Sequence, residues 1–282
     1  MDEYRYEPGP DNQARNSVSG NPFGRKAKPE NAVKASANAV SYASVFIWLA
    51  VGLLISGAIA IAIPYIFAKV TNGFTTNVES LNTTFIVLLV VSIVLMIPSE
   101  IVMAVKAVGK NSVAIKIGYF VYVIAMGLLL SSLLLSVYIL TYDPSDANAI
   151  LNPQFIYTVS MSFLISGGCF VIMGIIGKFT KHMNAAIPVV LTAVIGAIII
   201  SIVNIFLRVE MLYWIVDFVL FGVILLVTAI DMHNISKIIE RSKGELDGTN
   251  LSIYCAYALY VDFINIFIRV IYYVLILTSK KK

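Results

Sequence analysis

The chain has 282 residues, of which 59% are hydrophobic and only 13% are charged. That charged share is about half the usual value for a soluble domain, so a water-soluble globular enzyme is excluded. The formal net charge is +4, and the two cysteines, Cys169 and Cys255, lie within apolar runs, which argues against a disulfide scaffold. The composition is typical of an all-α polytopic membrane protein.

Seven segments are long and apolar enough to cross a hydrocarbon core of about 30 Å. Backbone groups in lipid must be bonded internally, which favours helices, and the sequence lacks the alternating polarity of a β-barrel. The last segment contains two charges and is followed by three lysines, so a re-entrant segment is an alternative to a seventh span. We expect helices over residues 41–67, 84–105, 115–141, 154–177, 185–207, 210–231 and 252–277.

The two ends of the chain differ in composition. Residues 1–38 are rich in Pro, Asn and Ser with scattered charge, which predicts a disordered tail, whereas residues 39–282 form the predicted transmembrane domain. The tail and the second, fourth and sixth connections hold fourteen Lys and Arg residues, whereas the other three connections hold two. The positive-inside rule therefore predicts a cytoplasmic N-terminus. It also explains the positive net charge without a nucleic-acid partner.

Ionisable residues within spans are costly unless they are paired or hydrated, and they commonly mark function. On the last predicted helix, Asp262 and Arg269 lie within about 20° of one another, and Asn265 lies on nearly the same face. We interpret this face as directed towards the bundle interior or a wet cavity. The alternative is that the two charges only neutralise partners on neighbouring helices.

Asp231 ends the sixth predicted span, about 30 Å along the helix from its start. Because consecutive spans run antiparallel, Asp231 and Asp262 can meet in the cytoplasmic half, although Asp231 alone is equally typical of a solvated helix end. Asp217 lies about 21 Å from Asp231, near the outer end. It either lines an outer mouth or reaches the outer interface.

Glu100, in the second predicted helix, is the remaining acidic candidate. It follows Pro98 and is a candidate partner for Arg269. Pairing with Lys106 or Lys110 at the inner end of the same helix is the alternative.

Two stretches of sequence resemble a known family. Ala258 to Phe267, within CAYALYVDFINIFIRVIYY, is similar to the hallmark "A-LSLYLDFINLF" of the Bax inhibitor-1 (TMBIM/YccA) family. The stretch FGVILLVTAIDMHNISK, which contains Asp231, resembles the family's sixth helix, and VNIF at residues 203–206 resembles the end of its fifth. The resemblance covers roughly residues 40–278.

This resemblance implies seven helices with the last one central. Members of the bacterial branch are regarded as pH-sensitive calcium leak channels, in which two hydrogen-bonded carboxylates on helices six and seven sense pH. The resemblance assigns these roles to Asp231 and Asp262, and it assigns the acidic residue typical of the second helix to Glu100.

The sequence departs from the family pattern at three places. The family's basic residue near the aspartate pair is matched only by Asn111, with Lys110 beside it. Arg269 lies about one turn earlier than the basic residue expected in the last helix. Asp217 adds a charge that the family does not require.

Two carboxylates in contact cannot both ionise cheaply, so they share a proton and titrate as a unit. Oxygen ligands also suit Ca²⁺. Asp231, Asp262 and Asn265 are too few for a closed site, so we expect weak binding of calcium as a transported ion and not as a cofactor.

Three classes of function compete. The first is a calcium-permeable leak channel or proton-linked transporter gated by the aspartate pair. The second is a non-transporting regulator of a membrane-bound AAA protease, which is associated with the YccA-type branch, with the tail as a docking segment. The third class, an intramembrane enzyme, is disfavoured, because HExxH, GxSxG and paired GxGD motifs are missing from the sequence, and His182 and His233 are expected to be solvated at helix ends.

Composition and family branch favour a bacterial plasma membrane.

Overall fold

The computed structural model describes residues 40–70, 78–106, 112–141, 153–241 and 248–279. A short 3₁₀ helix, Met183–Ala186, lies between the fourth and fifth of the seven α-helices in these residues. All seven are long and apolar enough to cross a membrane, which confirms the predicted all-α polytopic fold. They are α1 (Tyr42–Val70), α2 (Val78–Lys106), α3 (Ser112–Thr141), α4 (Pro153–Phe179), α5 (Ile187–Leu207), α6 (Glu210–Arg241) and α7 (Gly248–Ser279). The predicted tail lies outside the described residues.

The helices fall into two groups of three with α7 between them. In the first group, α1 and α2 pack against α3, and in the second, α4 and α5 pack against α6. The last helix, α7, packs against α1, α2, α3, α4 and α6, which confirms its central position. Its residues Ile253, Ala256 and Ile266 are completely buried.

The sequence underestimated the length of α6 and left the continuity of α7 open. Each is 32 residues long. The apolar run of α6 ends near Asp231, but Met232 and Ile235 are buried in the core, so the helix continues to Arg241. Because α7 is one unbroken helix that is long and apolar enough to cross a membrane, the structure favours a seventh span over the re-entrant alternative.

The two sides of the bundle can be named from the contacts at the helix ends. The ammonium of Lys178, at the end of α4, lies 4.7 Å from the ring centroid of Tyr42, at the start of α1. We call this the N side, and it also holds the end of α6 and the start of α7. The opposite side, called the far side, holds the two-residue turn between α5 and α6.

That turn is closed by a side chain. Arg208 has a left-handed backbone with φ 52°, and its N–H donates to the carbonyl of Asn204 at 2.8 Å. The buried side-chain oxygen of Asn204 accepts a hydrogen bond from the N–H of Val209 at 2.9 Å. Asn204 therefore satisfies the backbone N–H of Val209, which lies in the turn immediately before the first residue of α6.

On the N side, α4 and α6 touch through their backbones. A Cβ atom at Gly177 would collide with the backbone of Ala229, two residues before Asp231. Small residues at membrane-helix interfaces allow this close approach. The contact therefore fixes the position of Asp231 relative to α4.

We predict that Gly177→Ala destabilises the protein, by about 1–3 kcal/mol, because the added methyl group forces α4 and α6 apart. The measurement is the unfolding midpoint of the detergent-solubilised protein. Gly168→Ala in the same helix is the matched control. Nothing lies within 4 Å of the Cβ position at Gly168, so its midpoint should stay the same or rise slightly. Equal midpoints for the two variants would contradict the close contact.

Candidate functional site

Two carboxylates lie on the contacting helices α6 and α7, in the N-side half of the bundle. Asp262 on α7 is 5% exposed, and Asp231 on α6 is half-buried. The negative charge of Asp231 acts on Asp262 across the interface. The Oδ2 atom of Asp262 is buried and has no hydrogen-bond partner among the described residues. The structure thus places the two predicted sensor residues on contacting helices, and a buried acceptor on Asp262 has no partner among the described residues.

His233 adds a second buried polar group beyond Asp231 on α6. It is 5% exposed, and its Nε2 has no hydrogen-bond partner in the part of the chain that the structure describes. The expectation of a solvated His233 was wrong, because α6 continues past Asp231 and packs. His182 is exposed, as expected.

The far-side half of the same interface contains an ion pair. The guanidinium of Arg269 on α7 pairs through Nη1 with Oδ1 of Asp217 on α6. The hydroxyl of Tyr273 donates to Oδ2 of the same carboxylate at 2.6 Å. Arg269 is therefore paired with Asp217 and not with Glu100, which the sequence had offered as one candidate.

Glu100 belongs to α2, and it lies near a face of α7 different from the face that carries Asp262. Its charge acts on Tyr122 of α3 and Tyr257 of α7, whose rings stand edge to face with centroids 4.8 Å apart. Tyr257 is five residues before Asp262, so the two point in directions about 140° apart on the helix. The structure therefore separates Glu100 from the aspartate pair.

The structure does not bury Asn265 together with the aspartate pair, and it does not describe the candidate basic partners. Asn265 is exposed, whereas Asp262, three residues before it, is buried. Among the residues that the structure describes, no group of three or more His, Cys, Asp and Glu side chains converges as a metal site. Lys110 and Asn111, the candidates for a basic partner, lie outside the described residues.

The fold and the interface define a polytopic membrane protein with ionisable groups between its last two helices. A family model described as "Inhibitor of apoptosis-promoting Bax1" matches residues 39–280. The chain belongs to this family, the Bax inhibitor-1 family.

Curated relatives cover a smaller part of the chain. The chain is 32% identical over 120 residues to the inner membrane protein YbhL of Escherichia coli strain K12. It is 30% identical over 115 residues to an uncharacterised membrane protein of Streptococcus pyogenes serotype M3. Each match covers 40% of this chain and 50% of the relative, so the chain spans about half the length of these relatives. No solved structure matches.

We predict that Asp217 and Arg269 are energetically coupled. Asp217→Asn and Arg269→Gln each leave one charge unpaired in a partly buried position, whereas the double variant removes both charges. The double variant should therefore be more stable than the sum of the single effects implies, with a coupling energy of about 1–3 kcal/mol. Denaturant unfolding of the solubilised protein measures this.

The control is a second cycle that combines Arg269→Gln with Glu240→Gln. Glu240 is exposed near the N-side end of α6, so these two effects should add. Additivity in the first cycle would mean that Asp217 does not pair with Arg269.

Proposed function

We propose that this protein is a pH-sensitive, calcium-permeable leak channel or proton-linked calcium transporter in a bacterial plasma membrane, gated by Asp231 and Asp262. The proposal is for a transport protein and not for an enzyme. The observation that carries it is a buried Asp262 and a half-buried Asp231 on two contacting helices that are each long enough to span a membrane. Membership of the Bax inhibitor-1 family and a relative named as an inner membrane protein support it.

The chemistry of the pair explains how pH acts. A carboxylate removed from water favours its neutral form, and a second carboxylate nearby makes double ionisation more costly still. One shared proton therefore lets the pair link α6 to α7. A second proton, or the loss of the shared one, changes the attraction between the helices.

The same oxygens attract calcium. Ca²⁺ takes six to eight oxygen ligands in closed sites, and the pair supplies only a few of them. Binding at the pair is therefore weak, which suits an ion in transit. Protons and Ca²⁺ compete for the same carboxylates, so pH and ion passage are coupled.

The charge distribution supports a cytoplasmic N side. We predict that reporter fusions after Lys181 and after Lys243 read as cytoplasmic, because their connections carry the excess of Lys and Arg. A fusion after Asp146, in a connection with two acidic residues, should read as external. A cytoplasmic signal from the Asp146 fusion would mean that the orientation is reversed.

The gating prediction concerns calcium flux into liposomes that contain only the purified full-length protein. Flux should change steeply at roughly pH 5 to 8, where a coupled pair exchanges its proton. Asp231→Asn and Asp262→Asn each remove one titrating group while keeping the side-chain shape. Each should flatten the pH profile, and the double variant should be no flatter than the flatter single variant, because the residues act as one unit.

Two controls separate the pair from other titrating groups. Glu240→Gln removes an exposed carboxylate from the N-side end of α6 and should leave the pH midpoint unchanged. His233→Gln removes the buried imidazole, and a profile that depends on it more than on either aspartate would move the sensor to His233. Wild-type pH profiles in both aspartate variants would rule out the sensor assignment. If the wild-type protein gives no calcium flux, the channel proposal fails and the protease-regulator hypothesis gains.

A further inference from the structure

A groove runs between α3, α6 and α7 in the far-side half of the bundle. Its volume is about 660 Å³, within the range of small-molecule sites. Apolar side chains form most of its walls, and Asp217 and Arg269 also line it. The apolar walls include Leu133, Val137 and Leu140 of α3, Trp214 of α6, and Ile268 and Leu275 of α7.

The position of the groove determines what reaches it. Asp217 lies seven residues after the start of α6, or about 10 Å below the far-side end of the helix. Leu140, Trp214 and Tyr272 line the groove and are exposed on the outer surface of the bundle. Trp and Tyr are typical of the zone where lipid headgroups meet acyl chains. The groove therefore opens towards the lipid of one leaflet, near its headgroups.

The ion pair leaves the Arg269 guanidinium with unused donors. A guanidinium carries five N–H donors, and the contact with Asp217 uses one nitrogen. Tyr273 already donates to the second oxygen of Asp217. One third of the Arg269 side chain is exposed, and Arg269 lines the groove. In a lipid environment its remaining donors need acceptors, and phosphate oxygens are the strongest ones present there.

We propose that the groove binds a glycerophospholipid of the far-side leaflet, with its phosphodiester on Arg269 and an acyl chain along the apolar walls. Asp217 and Tyr273 hold the guanidinium in place. The phosphate accepts hydrogen bonds from the donors that Asp217 does not use. The apolar walls of the groove contact the acyl chain of the bound lipid. This lipid site is independent of calcium passage.

A second groove in the same protein serves as an internal comparison. It lies between α1, α3, α4 and α7, has a volume of about 440 Å³, and is lined by apolar and hydroxyl-bearing side chains and a glycine. Ser160 of α4 and Phe163 are among its lining residues. Because none of the described residues that line this groove is charged, it should accept acyl chains without preference for a phosphate headgroup.

Native mass spectrometry of the detergent-solubilised full-length protein tests the site. Phosphatidylglycerol should bind about tenfold more tightly than diacylglycerol with the same acyl chains, because only the former offers a phosphodiester to Arg269. Free sn-glycerol 1-phosphate should not displace the bound lipid, since it lacks the acyl chains. Displacement by this soluble phosphate would instead indicate a simple anion site and overturn the lipid proposal.

Variants locate the binding. The paired variant Asp217→Asn with Arg269→Gln keeps the interface neutral and should abolish the tenfold preference for phosphatidylglycerol. Ser136→Phe fills the groove from α3 while keeping both residues of the ion pair, and it should weaken phosphatidylglycerol binding to a similar degree. Ser160→Phe, the same substitution in the second groove, should leave the preference intact.

Three results would overturn the proposal. One is equal binding of phosphatidylglycerol and diacylglycerol by the wild-type protein. Another is an unchanged preference in Ser136→Phe, which decides the question even if the paired variant fails to fold. The third is an equal loss in Ser136→Phe and Ser160→Phe, which would mean that binding is not specific to the groove beside Arg269.

Discussion

The cost of placing ionisable groups in lipid governs the arrangement of α6 and α7. Charges in this environment must be paired, neutralised or hydrated. This protein places two sets of them along one helix–helix interface. In the far-side half, Arg269, Asp217 and Tyr273 satisfy one another by charge and hydrogen bonding. In the N-side half, Asp231 and Asp262 are two acidic groups close enough to interact, and Oδ2 of Asp262 is left without a partner among the described residues.

This contrast gives the two halves of the interface different properties. Opposite charges and a hydrogen bond join the helices on the far side at every pH at which Asp217 is ionised. On the N side, the interaction between the helices depends on how many protons Asp231 and Asp262 hold. The proposed pH sensitivity therefore belongs to one half of the interface, while the other half maintains the contact between α6 and α7.

Helical periodicity predicted the direction of side chains on one helix better than the identity of their neighbours. The angle between Asp262 and Arg269 on α7 follows from the sequence alone, and both residues do face α6. The partner of Arg269 could not be predicted in this way, because sequence spacing does not say whether α2 or α6 lies opposite. The candidate Glu100 instead interacts with Tyr122 and Tyr257.

Packing between helices was the part that the sequence did not reveal. Hydropathy located all seven spans, but it ended α6 at Asp231, where the buried side chains become mixed in polarity. Gly177 gave no distinct signal among the other glycines, since its importance comes from the backbone of Ala229 opposite it. Asn204 resembled a family position, yet its role in closing the α5–α6 turn became visible only from the bond to Val209.

The division into two three-helix groups limits how the molecule can change shape. The backbone contact at Gly177 leaves no gap between α4 and α6, and the two-residue turn after Asn204 ties α5 to α6. These two connections restrict how far α4, α5 and α6 can move relative to one another. Asp217 and Asp231 belong to α6, whereas Arg269 and Asp262 belong to α7. Any displacement of these three helices relative to α7 would therefore act on the ion pair and on the aspartate pair at once.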